Sequence, residues 1–179
     1  HQVIAHCVAF LISKNVIINN IAVKKQHIRE VKKIVKLDLI KKYCCGKRKI
    51  NIILNSLKFN NKGNDIKGIY YHKRKYSNRI IEIEAKGGNV MYAIYTIIGQ
   101  LVCLRVSKSH YWWFGFACPS TWQNYIYNKM TAKGKIKPII KNIIEYTKNG
   151  QGLNFYFVDE DGSIESVTWK KFLSRHPVR

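Results

Sequence analysis

The chain has 179 residues, with 32 Lys+Arg against 10 Asp+Glu and a formal net charge of +22 at pH 7. This length is typical of one domain that buries a core, and a hydrophobic content of 46% excludes a disordered basic tail. No apolar run approaches the roughly 20 residues needed to span a bilayer, so no membrane segment is expected. The charge indicates a polyanionic partner, of which nucleic acid is the first candidate and an anionic membrane surface the second.

The N-terminal part is predicted to be helical and basic. An apolar helix is expected from Val3 to Ser13. A second helix is indicated by apolar residues at helical spacing: Ile28, Val31, Val35 and Leu39. Lysines crowd the rest of this segment, and Lys32 and Lys36 are predicted to lie along a phosphate backbone. The alternative for each lysine is an ordinary solvated helix face.

Three strands are predicted next, from Ile50 to Leu57, from Asp65 to His72 and from Arg79 to Lys86. The last two are joined by a basic turn from Lys73 to Asn78. From residue 81 onward, apolar and polar residues alternate. Alternation places Ile81, Ile83 and Ala85 on one face of the strand and Glu82, Glu84 and Lys86 on the other.

The C-terminal half combines helices with strands. Asn89 is expected to cap a helix that runs to about Val106, and Tyr111 to Cys118 is strand-like. Ser120 is expected to cap a further helix that ends near Met130. A further helix is predicted over Ile136–Tyr146. Two strands, Leu153–Val158 and Ser163–Val167, are predicted to form a hairpin about Asp161-Gly162, and a short helix over Thr168–Ser174 follows them. This order predicts an α/β or α+β fold.

The cysteines and histidines do not suggest a metal site. Five cysteines without a C-x-x-C pair indicate reduced, mostly buried thiols. Reduced thiols are typical of a cytoplasmic protein. If the source is bacterial, the positive charge would associate the protein with the nucleoid. The histidines considered are scattered along the chain without H-x-x-x-H spacing: His6, His27, His72, His110 and His176. A histidine metal site is therefore not expected.

The acidic residues are more informative because they are scarce. Asp65 precedes one predicted strand, and Glu84 and Lys86 share a face of the next. Carboxylate oxygens are ligands that Mg²⁺ prefers, and a lysine beside them can act on water or on phosphoryl charge. Charged residues on a strand are most often only solvent-facing, but the preceding Asp65 and the large positive charge favour a nuclease site.

Asn64-Asp65, followed on the next strand by Glu84-Ala85-Lys86, resembles the motif of the PD-(D/E)xK nuclease superfamily. Three later features fit the same pattern: Gly87-Gly88, the helix segment Ile98-Gly99-Gln100-Leu101, and Gly115 to Pro119. The likeness covers about residues 50 to 119. Asn64 replaces the usual proline, and Leu104 stands where some subfamilies have a tyrosine.

The resemblance implies a restriction-endonuclease-like fold, with a mixed central sheet flanked by helices. Residues 1–179 would form a single nuclease domain, with a basic helical part at 1–48, a catalytic core at 49–119, and helices with a terminal hairpin at 120–179. The implied activity is Mg²⁺-dependent cleavage of DNA, with Mn²⁺ as a substitute and no small-molecule cofactor. A homodimer is expected if both strands of a symmetric site are cut.

The residue roles follow from the same resemblance. Asp65, Glu84, Lys86 and Gln100 are the expected catalytic residues. Asp65, Glu84 and the backbone carbonyl of Ala85 are the expected metal ligands, and Glu82 is either a further ligand or the partner of a nearby base. The basic turn formed by Lys73, Arg74 and Lys75 is the expected phosphate clamp. The competing interpretation is a non-catalytic basic nucleic-acid-binding protein; a resolvase or transposase nuclease of the same fold is a further alternative.

Overall fold

The computed structural model describes residues 1–62, 65–72, 77–96, 99, 112–131, 138 and 153–174. Within these residues the strands are β1 Val16–Ala22, β2 Phe59–Asn60, β3 Ile66–His72, β4 Ser77–Ala85, β5 Trp112–Pro119, β6 Leu153–Val158 and β7 Ile164–Thr168. They form one sheet in the order β2-β1-β3-β4-β5-β6-β7. The sheet is mixed, since β1, β3 and β4 pair antiparallel, β4, β5 and β6 pair parallel, and β7 returns antiparallel.

Helices lie on both faces of this sheet, which makes the fold mixed α/β of the α+β type. In chain order they are α1 Gln2–Ser13, α2 Ile28–Lys41, α3 Lys47–Ser56, α4 at residues 90–96, α5 Gln123–Thr131 and α6 Trp169–Leu173. Short 3₁₀ turns at Lys25–His27 and Ser120–Trp122 precede α2 and α5. In the part of the chain that the structure describes, no helix has the length and apolar character needed to cross a membrane.

Two hydrophobic cores pack against the two faces of the sheet. On the first face, Ile81 and Ile83 of β4 pack with the apolar sides of α1 and α2. On the second face, Phe116 of β5 and Phe155 of β6 pack with α4, α5 and α6. Because side chains alternate along a strand, Glu82 and Glu84 lie on the second face, on which Phe116 is buried.

Much of the predicted secondary structure is confirmed. The helix from Val3, the helix carrying Val31, Val35 and Leu39, and the strands from Asp65 and Arg79 are all present. The terminal hairpin and the closing helix are also present, and Thr168 caps that helix through its side chain. Asn89 accepts a 2.9 Å hydrogen bond from the backbone N–H of Met91, as its predicted capping role requires.

Two predictions are wrong, and one strand was not predicted. Residues Ile50 to Leu57 belong largely to helix α3 instead of a strand, and the strand Val16–Ala22 was not predicted. Ser120 is not the capping residue: Pro119 stands at the capping position of the 3₁₀ turn, and the Ser120 hydroxyl donates to Asp159. The predicted helix at residues 136–146 and the C-terminal end of the helix after Asn89 lie outside the described residues.

Candidate metal and catalytic site

The pairing of β3 with β4 brings Asp65 beside Glu84. The antiparallel register joins Ile66 to Ile83 and Lys67 to Glu82. Continued by one residue, this register sets Asp65 opposite Glu84 on the second face of the sheet. The backbone of Asp65 is also held by the neighbouring strand, since its carbonyl accepts a 2.8 Å hydrogen bond from the N–H of Ala22.

The carboxylate of Asp65 is oriented by the strand that carries Glu84. Its Oδ2 atom accepts a 2.8 Å hydrogen bond from the backbone N–H of Ala85. The pKa of Asp65 is raised to about 6, first by burial and then by the negative charge of Glu84, while the Ala85 hydrogen bond and the Lys86 charge act in the opposite direction. Because burial and a neighbouring carboxylate raise the pKa of Asp65, a bound cation would stabilise its ionised form.

Glu84 and Lys86, which are two positions apart along the chain, are in direct contact. The Nζ atom of Lys86 donates to Oε1 of Glu84. The side chains are 16% and 28% exposed, so the pair is largely enclosed but still open to a ligand. The Lys86 backbone is anchored to β5, because its N–H donates a 2.8 Å hydrogen bond to the carbonyl of Ala117. Asp65, Glu84 and Lys86 therefore meet where β3 begins and β4 ends.

Glu82 lies on the same face but is part of an ion pair. Its side chain is only 4% exposed, and its Oε1 atom is 3.2 Å from Nζ of Lys67 on β3. Among the described residues, Asp65, Glu82 and Glu84 do not each bring a carboxylate oxygen within 4.8 Å of the other two. The geometry thus matches the interpretation of Glu82 as the partner of a base, and its role as a metal ligand stays a prediction.

Lys67 is the residue of this site that the sequence interpretation missed. It follows Asp65 by two positions, so alternation along β3 places both side chains on one face. That spacing was the signal available in the sequence. This spacing alone does not predict the partner of Lys67, because the register between β3 and β4 determines which carboxylate lies beside the lysine.

The donor atoms of this site suit Mg²⁺ better than a softer ion. Asp65 and Glu84 offer carboxylate oxygens, and the carbonyl of Ala85 is the further ligand that the family resemblance implies. One oxygen of each carboxylate is engaged, by Ala85 N–H and by Lys86 respectively, which leaves the second oxygen of each for a cation. Such an arrangement holds a cation with few protein ligands and leaves coordination positions for water and phosphate.

Of the other predicted residues, the two that the structure describes, Lys32 and Lys36, are not brought to this site. Lys32 and Lys36 lie on α2, which packs on the first face of the sheet, away from the carboxylates. The ammonium of Lys32 lies 5.5 Å from the centre of the Phe59 ring, a cation–π contact on the first-face side. Gln100 and the basic turn of Lys73, Arg74 and Lys75 lie outside the described residues.

Compared with protein-family models, with curated proteins and with solved structures, the chain has no match in any of the three.

Proposed function

We propose that the chain is a Mg²⁺-dependent DNA endonuclease of the PD-(D/E)xK type with a restriction-endonuclease-like fold. The observation that carries this proposal is the meeting of Asp65, Glu84 and Lys86 at the adjoining ends of β3 and β4. Two carboxylates and a lysine, largely enclosed at the edge of a sheet, are the groups that hydrolysis of a phosphodiester requires.

Each residue has a distinct task in this proposal. Asp65, held by the Ala85 N–H, and Glu84 bind the cation through their remaining oxygens. Bound there, Mg²⁺ would polarise the phosphate and lower the pKa of a coordinated water. Lys86, whose ammonium already lies against Glu84, orients that water or stabilises the charge that develops on the phosphoryl oxygens.

The architecture and the charge support the same proposal. A mixed sheet with helices on both faces is the arrangement that the restriction-endonuclease-like fold requires. The net charge of +22 gives the chain affinity for a polyanion such as DNA. A role in restriction or a related defence system is the leading biological setting, with resolvase or transposase nucleases as alternatives.

The net charge alone also favours a second function, a basic protein that binds nucleic acid without cutting it. In that case the carboxylates would be structural, and affinity would fall steeply with salt whatever divalent ion is present. The raised pKa of Asp65 favours a functional role, because an acid placed beside a second acid costs stability and such groups cluster at functional sites.

The test is cleavage of supercoiled plasmid in Mg²⁺, in Mn²⁺ and in EDTA. It compares the wild-type chain with Glu84→Gln and Lys86→Ala, and parallel reactions contain single-stranded DNA and RNA. Glu160→Gln and Lys41→Ala serve as matched controls, since both residues are exposed and lie away from the site. We expect metal-dependent nicking or linearisation that the two site variants lose by at least about 100-fold and the controls retain.

Filter binding of the same plasmid completes the experiment. Tight binding by every variant, with cutting only by the wild type and the controls, is the expected result. Tight, salt-sensitive binding without cutting by any of them would overturn the nuclease proposal in favour of the binding protein.

A further inference from the structure

Two histidines and a glutamate meet at the point where α1 and α2 begin, on residues that the function proposed above does not use. His1 precedes α1, His27 precedes α2, and Glu30 lies in the first turn of α2. The Nε2 atom of His1 is 3.0 Å from Oε2 of Glu30. The rings of His1 and His27 stack with centroids 4.3 Å apart and an interplanar angle of 9°.

One possible metal-ligand atom from each residue lies within 4.8 Å of the other two. In the part of the chain that the structure describes, this is the only group of three or more histidine, cysteine or acidic side chains with that property. The expectation from the sequence that no histidine metal site exists rested on spacing along the chain. In the folded chain these residues are close, because the 3₁₀ turn Lys25–His27 and the start of α2 bring His27 and Glu30 to the N-terminal end of α1.

We propose that His1, His27 and Glu30 form a binding site for a transition-metal ion of the Zn²⁺ class. Two imidazole nitrogens and one carboxylate oxygen are a common three-ligand set for zinc, with the fourth position left to water or another ligand. Ligand bonds to zinc of about 2.0–2.2 Å place neighbouring donor atoms roughly 3.4 Å apart. The donor atoms of His1 and Glu30 are 3.0 Å apart, close to this spacing, and a donor atom of the partly exposed His27 lies within 4.8 Å, so the three side chains need only small adjustments to close on an ion.

The electrostatic surroundings decide which ions the site accepts. The N-terminal ends of α1 and α2 carry partial positive charge, and Lys24 and Lys25 are exposed nearby. A hard ion such as Mg²⁺, held mainly by charge and preferring oxygen, gains little here. An ion that forms strong bonds to imidazole overcomes this repulsion, so the site selects Zn²⁺, Co²⁺ or Ni²⁺ over Mg²⁺. The amide nitrogen of Gln26, 3.3 Å from Nε2 of His27, is placed to orient the imidazole ring.

The test uses Co²⁺ as a spectroscopic probe in the Glu84→Gln background, which weakens the carboxylate site on the other face of the sheet. We expect one tightly bound Co²⁺ per chain with the visible spectrum of low-coordinate cobalt, displaced by Zn²⁺ but not by a large excess of Mg²⁺. His27→Ala and Glu30→Gln should each weaken binding at least about tenfold, and Glu160→Gln should leave it unchanged. Circular dichroism without metal establishes that each variant folds.

A chain extended by Gly-Ser before His1 moves the α-amino group away from the His1 imidazole. It therefore tests whether the imidazole, and not the amino group, binds the metal. Retained binding in this extended chain, together with loss in His27→Ala, supports the site. Absence of Co²⁺ binding, or binding that the His27 and Glu30 variants leave intact, overturns it. Because the carboxylate site is weakened throughout and the readout is cobalt binding, neither result depends on whether the chain cuts DNA.

Discussion

The backbone N–H of Ala85 donates a 2.8 Å hydrogen bond to Oδ2 of Asp65, so the strand that carries Glu84 and Lys86 also orients the third group of the site. Asp65 precedes β3 and Ala85 ends β4, so the two residues are 20 positions apart along the chain. The bond therefore couples the site geometry to the pairing of the two strands. Side chains on paired strands are held more precisely than side chains on separate loops.

Asp65 should make the metal-free protein less stable as the pH rises from roughly 4 to 7. Its pKa is raised to about 6 from the ordinary value of 3.8, so the folded state holds this proton more tightly than the unfolded state does. The stabilisation is therefore complete below the unfolded pKa and is lost as the pH rises through the folded pKa. Wild type should lose stability over this pH interval, whereas Asp65→Asn should not. Allowing for partial solvent contact, we expect the difference between their free energies of unfolding to shift by about 2 kcal/mol in favour of Asp65→Asn.

Urea unfolding in EDTA at several pH values measures this difference. Glu160→Gln is the control, because Glu160 is exposed and lies away from the site. A difference between Asp65→Asn and wild type that does not change with pH would contradict the raised pKa.

The affinity of the carboxylate site for Mn²⁺ should show the opposite pH dependence. A proton must leave Asp65 before a cation can bind, so binding should weaken about tenfold per pH unit below the pKa of about 6. Titration calorimetry or electron paramagnetic resonance with Mn²⁺ follows this change in the His27→Ala background. Affinity that stays constant from roughly pH 5 to pH 7 would show that Asp65 is not a ligand.

Alternation along the chain was sufficient to predict the second-face side chains of β4 but not the strand Val16–Ala22. Val16, Ile18 and Ile21 all face the first core, and the register of β1 on β3 shifts between Ile18 and Asn20. This bulge breaks the two-residue period, so the segment lacks the pattern of a strand.

At helix α3, a strand was predicted where the structure has a helix. Its isoleucine-rich run favours a strand by composition, yet Ile50, Ile53, Leu54 and Leu57 recur at helical spacing and pack into the first core. Ile52, which a helix turns away from that core, is 64% exposed. Period outweighed β-propensity here, because burial of one helical face supplies more free energy than intrinsic preference. The grouping of His1, His27 and Glu30 depends on tertiary packing and leaves no pattern in the sequence.

Lys86→Ala should separate cutting from binding. The ammonium of Lys86 contacts Glu84 and contributes only one of 32 basic charges, so loss of it should barely change DNA affinity. We expect the single-turnover cleavage rate to fall at least about 100-fold while affinity, measured in Ca²⁺, stays within about threefold. An equal loss of binding and cutting would instead identify Lys86 as a phosphate contact, with Lys41→Ala as the matched control.

Lys67 and Glu82 should behave as a structural pair. Lys67→Met removes the ammonium 3.2 Å from a carboxylate that is 4% exposed, and we expect a loss of about 1–2 kcal/mol in the free energy of unfolding. The value is modest because the Lys67 side chain is 45% exposed, and water screens its charge. Adding Glu82→Gln to Lys67→Met should recover much of the loss, since the buried charge is then removed.

The same variants determine whether Glu82 binds metal. Glu82→Gln combined with Lys67→Met should keep most of the Mg²⁺-dependent cleavage if the carboxylate serves only the ion pair. Loss of cleavage in a variant with recovered stability would assign Glu82 to the metal after all. Urea unfolding and plasmid nicking on the same preparations give both answers.

Gly162 should be intolerant of any side chain, for two separable reasons. It adopts φ +76° in the turn between β6 and β7, where an L-residue is strained. A Cβ atom there would overlap the imidazole ring of His6 on α1 and the Nζ atom of Lys42, which is the far end of a flexible side chain. That ring is not free to move away, because its Nδ1 atom is 2.6 Å from Oδ2 of the buried Asp38 on α2. We expect Gly162→Ala to cost roughly 3 kcal/mol, as strain and overpacking add.

A double-mutant cycle with His6→Ala separates the two causes. Removing the ring relieves the overlap with His6 but not the backbone strain, and the Lys42 ammonium can shift at the end of its flexible side chain, so Gly162→Ala should cost only about 1–2 kcal/mol in the His6→Ala background. Gly87→Ala is the control, since a Cβ atom at Gly87 meets nothing within 4 Å. If Gly162→Ala costs the same with and without His6, the turn does not pack on α1 and only the dihedral angle constrains the glycine.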